Sequence, residues 1–337
     1  MQFNEINHEL VLFGVFNIVV IFALGLDLGI LSKQKDHTMS FKKALHWTFI
    51  WIGLSLSFAA AIYFYDTDPN DPYAGRNRSL EFIAAYLLEK SLSVDNLFVF
   101  IMIFQKFRVT KDHQPDILKW GIIGAVLLRA VMILMGAALV AKFSSVLYFF
   151  GVFLIYTAIK MFLHKDEGEE DFKPEETTAY KLMKKFLPMS PNFDGSKFFT
   201  KIDGKILVTP LFVVLVMIEL SDVVFAFDSI PAVFSVSQNP FIIYTSNIFA
   251  ILGLRALFFM IAGIMDLFHY LKLGVSVILL FVGVKMLYPL ITKYSLGTEH
   301  HISIVVSLSV IIGLLSISII ASLPHYFKHH HKKEVKS

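Results

Sequence analysis

Five carboxylates fall inside apolar runs of this chain: Glu89 and Asp95 in LLEKSLSVDNLFVF (87–100), and Glu219, Asp222 and Asp228 in MIELSDVVFAFDSIPAVF (217–234). Each run is long enough to cross a bilayer, where a central carboxylate costs at least ~2.5–3.5 kcal/mol, so such groups face a protein interior or a water path and mark ion or proton routes. Glu219 and Asp222 are three residues apart, and a helix sets both on one face about 4.5 Å apart along its axis. Two oxygens from one face suit a hard divalent cation. Asp228 points about 180° away from Glu219 on an unbroken helix. Pro231, however, cannot donate to the carbonyl of Phe227. A break there would turn Asp228 toward the other acids and add a backbone oxygen, as in discontinuous transporter helices; a mere kink would leave Asp228 near the outer interface.

The other run offers a similar set. Ser91 and Asp95 share a helical face, as do Glu89 and Ser93, and Asn96 adds an amide oxygen beside Asp95. Lys90 lies next to Glu89 and could simply neutralise it. Arg129 and Arg255 are further intramembrane charges, either static clamps on the acids or counter-charges exchanged during transport. The five acids outnumber these two arginines, although Lys90, Lys160 and Lys285 could narrow the surplus, with snorkelling from the interface as the alternative for the latter two. Asp27, in FALGLDLGI, is a sixth acid near the inner end of its run. Asn247 faces either the site or a neighbouring helix.

The elements that must position these groups are membrane helices. The chain is 56% hydrophobic with only 17% charged residues, against roughly 25% in soluble domains. Hydropathy gives nine spans, at 9–31, 41–65, 80–105, 117–140, 145–163, 207–236, 241–265, 271–291 and 302–323, each close to or above the ~20 residues that cross a bilayer. The fold class is therefore all-α and polytopic. With the N-terminus outside, thirteen Lys and Arg fall on the inner side and four on the outer, leaving aside the central loop. That bias predicts an N-out, C-in topology. The polar start MQFNEINHE predicts no cleavable signal peptide. Between 164 and 206 lies one polar segment, acidic at first; its Asp-Gly pairs at 194–195 and 203–204 signal a small hairpin, with a solvated linker as the alternative.

The chain also repeats. SVDNLFVF (93–100) matches LSDVVFAF (220–227), AVLLRAVMILMGA (125–137) matches AILGLRALFFMIAG (250–263), and AIKMF (158–162) matches GVKML (283–287). These align Asp95 with Asp222, Arg129 with Arg255 and Lys160 with Lys285, at offsets of 127, 126 and 125. Each unit holds three spans, so the second enters the membrane inverted, a 3+3 arrangement that places substrate near the midplane. The organisation expected is a two-span segment (1–79), a first triplet (80–163), the loop (164–206), a second triplet (207–291), and a last span with a basic tail (292–337).

Carboxylate, amide and carbonyl oxygens select hard ions such as Mg, Ca and Mn, and the absence of cysteine removes thiolate sites, disulfides and Cys nucleophiles. No phosphate-cradling GxxxxGK[ST] loop is present, so drive must come from an ion gradient or the membrane potential. No Ser/His/Asp or HExxH constellation points to an enzyme, no tightly bound cofactor is expected, and a net charge of +3 indicates no nucleic-acid surface. His329, His330 and His331 read as part of a solvated basic tail.

At LEKSLSVDNLFVF (88–100), TPLFVVLVMIELSDVVFAFDSIPAVF (209–234) and NPFIIYTSNIFAILGLRALFF (239–259) the sequence resembles the TerC family of integral membrane proteins, in particular its long, nine-span members. The resemblance implies a protein of the bacterial cytoplasmic membrane that exports divalent cations, principally Mn²⁺. It places the family's acidic motif on Glu89, Asp95, Asn96, Glu219, Asp222 and Asp228, with Asp27 a weaker member. Expected partners are membrane lipids and the metal ion. Rival readings are a carrier of Ca²⁺, H⁺ or an oxyanion such as tellurite, and a non-transporting scaffold or insertion factor built on the central loop.

Overall fold

The computed structural model describes residues 5–30, 39–66, 71–163, 178–202, 204–263 and 270–334. These residues form eleven helices and one hairpin: α1 (Glu5–Ile30), α2 (Phe41–Tyr65), α3 (Ala74–Lys106), α4 (Gln114–Lys142), α5 (Val146–Leu163), α6 (Thr178–Phe186), β1 (Phe199–Ile202), β2 (Lys205–Val208), α7 (Pro210–Phe234), α8 (Pro240–Ile251), α9 (Leu254–Gly263), α10 (Leu271–Leu296) and α11 (Ile304–Glu334). The protein is an all-α polytopic membrane protein. Six helices are long and apolar enough to cross a bilayer, and the bent α8–α9 pair makes a seventh if counted as one span. The nine expected spans include α1 and α3 as well. α3 is 33 residues long, about 50 Å, but its acids and lysines keep it below the apolarity of an ordinary span; the apolar part described in α1 is Val11–Gly25.

Sequence signals set the helix ends. Asn239 caps α8 by accepting from Phe241 N at 2.8 Å, with Pro240 in the first turn where no donor is missed. Pro210 opens α7 in the same way, and Gly297, at φ +73°, closes α10 in the left-handed conformation. The hairpin falls at the second Asp-Gly pair: Ile202 is in register with Lys205, and Gly204 has φ +79°. At the first pair, the Thr200 hydroxyl (2.7 Å) and the Lys197 ammonium (3.2 Å) donate to Asp194 and hold its carboxyl below the usual carboxylate range.

Each helix sorts its faces. On α4, Leu118, Ile122, Ala125, Arg129 and Ile133 are buried, while Leu127, Val131 and Leu134 are exposed toward lipid. Phe249 of α8 anchors an aromatic core, its ring centroid 5.4 Å from Phe16 of α1, 5.1 Å from Phe58 of α2 and 5.9 Å from Phe82 of α3. Among the described residues the most extensively packed helix pair is α5 with α10, which meet through Gly151 and Gly283: a Cβ on Gly283 would lie 2.8 Å from the Gly151 carbonyl oxygen. Small residues permit this approach where lipid supplies no hydrophobic drive.

The break expected at Pro231 is absent, since α7 runs through the proline to Phe234. Pro231 lies near the helix end, so it forfeits little of the backbone ladder, and Ser229 to Phe234 are all buried around it. The discontinuity falls instead between α8 and α9, which bend by 43°. There Gly253 adopts φ +79°, and any Cβ on it would strike the indole of Trp51. A left-handed non-glycine residue costs on the order of 1–3 kcal/mol, so Gly253→Ala is expected to lower the thermal midpoint of the detergent-purified protein. Shrinking Trp51 in the same variant should recover only part of the loss, because the backbone strain remains; differential scanning fluorimetry checks both.

Candidate functional site

Arg129 lies at the centre of the protein with only 1% of its surface exposed. From α4 it reaches three other helices. Its Nη2 is 3.0 Å from Asp222 Oδ1 and its Nε 3.3 Å from Asp222 Oδ2, a side-on grip on α7. Nη1 forms an ion pair with Glu89 Oε1 of α3 and is 3.5 Å from Asn247 Oδ1 of α8. The Asn247 amide nitrogen donates to the Ile243 carbonyl at 2.9 Å, which orients its oxygen to the guanidinium. A planar fork with several donors can serve two carboxylates and an amide at once, as a lysine cannot.

Several oxygens around this hub have no donor. Glu89 Oε2, the oxygen not paired with Arg129, is buried without a hydrogen bond, as are Ser93 Oγ and Glu219 Oε2. Glu89, Ser93 and Asn96 fall on one stripe of α3, and all three are buried. Glu219 lies one turn before Asp222 and rests on α4 at Gly124, where any Cβ would collide with its carboxylate. The glycine is thus the seat of the acid. Buried oxygens left without donors cost free energy unless a ligand or water satisfies them.

The remaining candidates are arranged differently. Ser91 Oγ donates to its own helix at the Leu88 carbonyl (2.7 Å). Lys90 does not neutralise Glu89; its Nζ is 3.2 Å from the carbonyl oxygen of Ala250, beside the α8–α9 break. Asp228 faces α5, accepting from the Thr157 hydroxyl at 3.0 Å, so the unbroken α7 sends Asp228 one way and Asp222 another. Arg255 is buried in the first turn of α9, after the bend. The side chains of Asp27 and Asp95 lie outside the described residues. Among the described residues, no three His, Cys, Asp or Glu side chains come close enough to hold a metal together; the guanidinium takes the place between Glu89 and Asp222. Gly124 and Thr157 are the participants that the sequence did not mark. Small or hydroxyl residues on helices facing acid-bearing ones would have been the signal.

A family profile for the TerC family of integral membrane proteins matches residues 74–331, and the chain belongs to that family. It is 46% identical over 312 residues to an uncharacterized membrane protein of Myxococcus xanthus, covering 93% of this chain and 92% of that one. Over 319 residues it is 41% identical to an Escherichia coli K12 protein with the provisional name membrane-bound redox modulator Alx, covering 94% and 96% of the two. A Rickettsia bellii membrane protein is 40% identical over 311 residues, covering 92% and 96%. No solved structure matches.

Removing one partner of a buried ion pair leaves an uncompensated charge and costs about 3–5 kcal/mol. Arg129→Leu is therefore expected to unfold at markedly lower temperature than wild type in detergent, and adding Asp222→Asn and Glu89→Gln should restore much of the loss. Gly124→Ala should leave the fold intact while displacing Glu219, seen as changed protection of α4 and α7 amides in hydrogen exchange.

Proposed function

We propose that the chain is a secondary carrier that exports divalent cations, Mn²⁺ foremost, from the cytoplasm of a bacterium across its inner membrane, through the acids gathered around Arg129. One observation carries this reading: a single guanidinium holds Glu89 and Asp222 from different helices, while Glu89 Oε2, Ser93 Oγ one turn along α3 and Glu219 Oε2 one turn before Asp222 are buried without partners. Arg129 then acts as a tethered stand-in for the cation. An entering ion competes with it for Glu89 and Asp222 and recruits the unpartnered oxygens. All of these are hard donors, which favour Mn²⁺, Mg²⁺ or Ca²⁺ over soft metals. The choice of Mn²⁺ rests on the family resemblance. Asp95, Asn96, Asp228 and Asp27 complete the proposed route, Asp228 through its seat on Thr157. Exchange against protons is the proposed drive, since the same carboxylates bind either.

The helix packing supports a two-fold, alternating design. Exchanging α3, α4 and α5 with α7, α8–α9 and α10 turns the α3–α8 pairing into α4–α7 and maps α3–α7 and α5–α10 onto themselves; all four pairs are packed together. An oxyanion cargo at Arg129 is disfavoured, because its donors are already directed at two carboxylates. The redox role in the relatives' name cannot run through thiols in this chain, which has no cysteine.

The test is Mn²⁺ flux in everted vesicles or proteoliposomes. Asp222→Asn and Glu89→Gln should each cut transport by at least about tenfold, a loss of ~1.4 kcal/mol in the rate-limiting barrier, while insertion and yield hold. Wild-type rates from either well-inserted single variant, in which Arg129 keeps its other carboxylate, would overturn the site.

A further inference from the structure

At the end of the bundle where α3 stops and α7 starts, a cavity of about 840 Å³ opens between the α3–α4 turn, α6 and the segment that follows α6 toward β1. Lys106, Arg108 and Lys184 line it together with the rings of Phe107 and Tyr180, and no acidic side chain is among the described residues of its wall. The wall is fixed: Ser190 N donates to the Val208 carbonyl at 2.8 Å and Val208 N to the Pro188 carbonyl at 2.9 Å, pinning 188–190 to β2. The first turn of α7, with Pro210 and Val213, also faces the cavity, adding the positive end of a 25-residue helix.

Arg108 is the one non-glycine residue with positive φ (52°) among the described residues. It occupies the left-handed position just past α3, where Arg108 N donates to the Gln105 carbonyl (3.1 Å) and Val109 N to that of Phe104 (2.8 Å). Glycine is usual at this position of the motif; an arginine there accepts steric cost and gains a guanidinium at the cavity mouth. α6 has a strongly two-sided pattern. Tyr180 and Met183 pack on the core, while Lys181, Lys184, Lys185 and Phe186 are exposed. That is the composition of a helix lying in a membrane interface above anionic headgroups.

We propose that this basic cavity binds the phosphate group of an anionic ligand, drawn from the headgroups of the adjoining leaflet. Arg108 and Lys184 supply the principal contacts, and the phosphate sits against the start of α7, the helix that carries Glu219 and Asp222. The site is separate from the intramembrane acids and does not depend on what they carry.

The full chain, purified in detergent, is titrated with phosphatidylglycerol, with phosphatidylcholine and with inorganic phosphate, and bound species are counted by native mass spectrometry. Retention of phosphatidylglycerol over phosphatidylcholine is expected, falling about tenfold in Arg108→Gln/Lys184→Gln, the equivalent of ~1.4 kcal/mol. Arg108→Gly removes the guanidinium while easing the backbone. It should retain the lipid more weakly than wild type yet melt no lower, which separates lost binding from misfolding. If inorganic phosphate binds, needs the same two side chains and the lipid does not, the phosphate chemistry stands with a soluble source. Equal retention of both lipids with no phosphate binding, or binding indifferent to both variants, would overturn the site.

Discussion

The contacts of Arg129 with Glu89 and Asp222 constrain everything around them. An isolated carboxylate in a low-dielectric interior is costly, and only a matched counter-charge offsets much of that cost. Here a single cation serves two acids on two helices and reaches an amide on a third. α3, α4, α7 and α8 must therefore converge at one depth. The close approach of Glu219 to α4 at Gly124 and the lipid-facing stripe of Leu127, Val131 and Leu134 both follow from the same rotation of α4.

A second polar contact lies nearby and solves a different problem. The bend between α8 and α9 interrupts the backbone ladder inside the bundle, where a stranded carbonyl has no water to turn to. Lys90 donates to the Ala250 oxygen at that point. Neighbouring residues on α3 thus have opposite duties: Glu89 receives Arg129, and Lys90 serves the broken helix. The α8–α9 unit is held on one side by Lys90 and on the other by the Trp51 indole against Gly253.

Much of this was legible in the sequence because membrane helices write their demands plainly. The apolar runs and the second Asp-Gly pair each follow from local chemistry and required no tertiary knowledge. That Glu89, Asp222, Arg129 and Asn247 would face the protein interior was legible for the same reason, since polar groups in lipid avoid the hydrocarbon. Their pairing was not. Adjacency on the chain suggested Lys90 for Glu89, but side-chain direction on α3 sends the two apart, and the true partner is forty residues away in sequence. The break was also misplaced. Proline advertises a lost donor, whereas the glycine at 253 acts through a left-handed φ that depends on the Trp51 ring packed against it.

In the proposed carrier, the tie that Arg129 makes is also the means of movement. While the guanidinium holds Glu89 and Asp222, α4 is bound to α3 and α7 together. A cation taking those oxygens would leave α3 and α7 tied to each other through the ion, with α4 released from both. The exchange changes which helices are coupled without ever leaving the carboxylates uncompensated, and a carrier needs that property: the loaded and empty forms are both tolerable in lipid, while the form with neither ion nor arginine is strongly disfavoured. If α4 and Asp222 belong to opposite triplets, as the sequence repeat proposes, the swap would act across the interface between them, where rocking of one triplet against the other would open alternate sides. A local competition between two cations for one pair of acids thereby becomes a choice between two global packings.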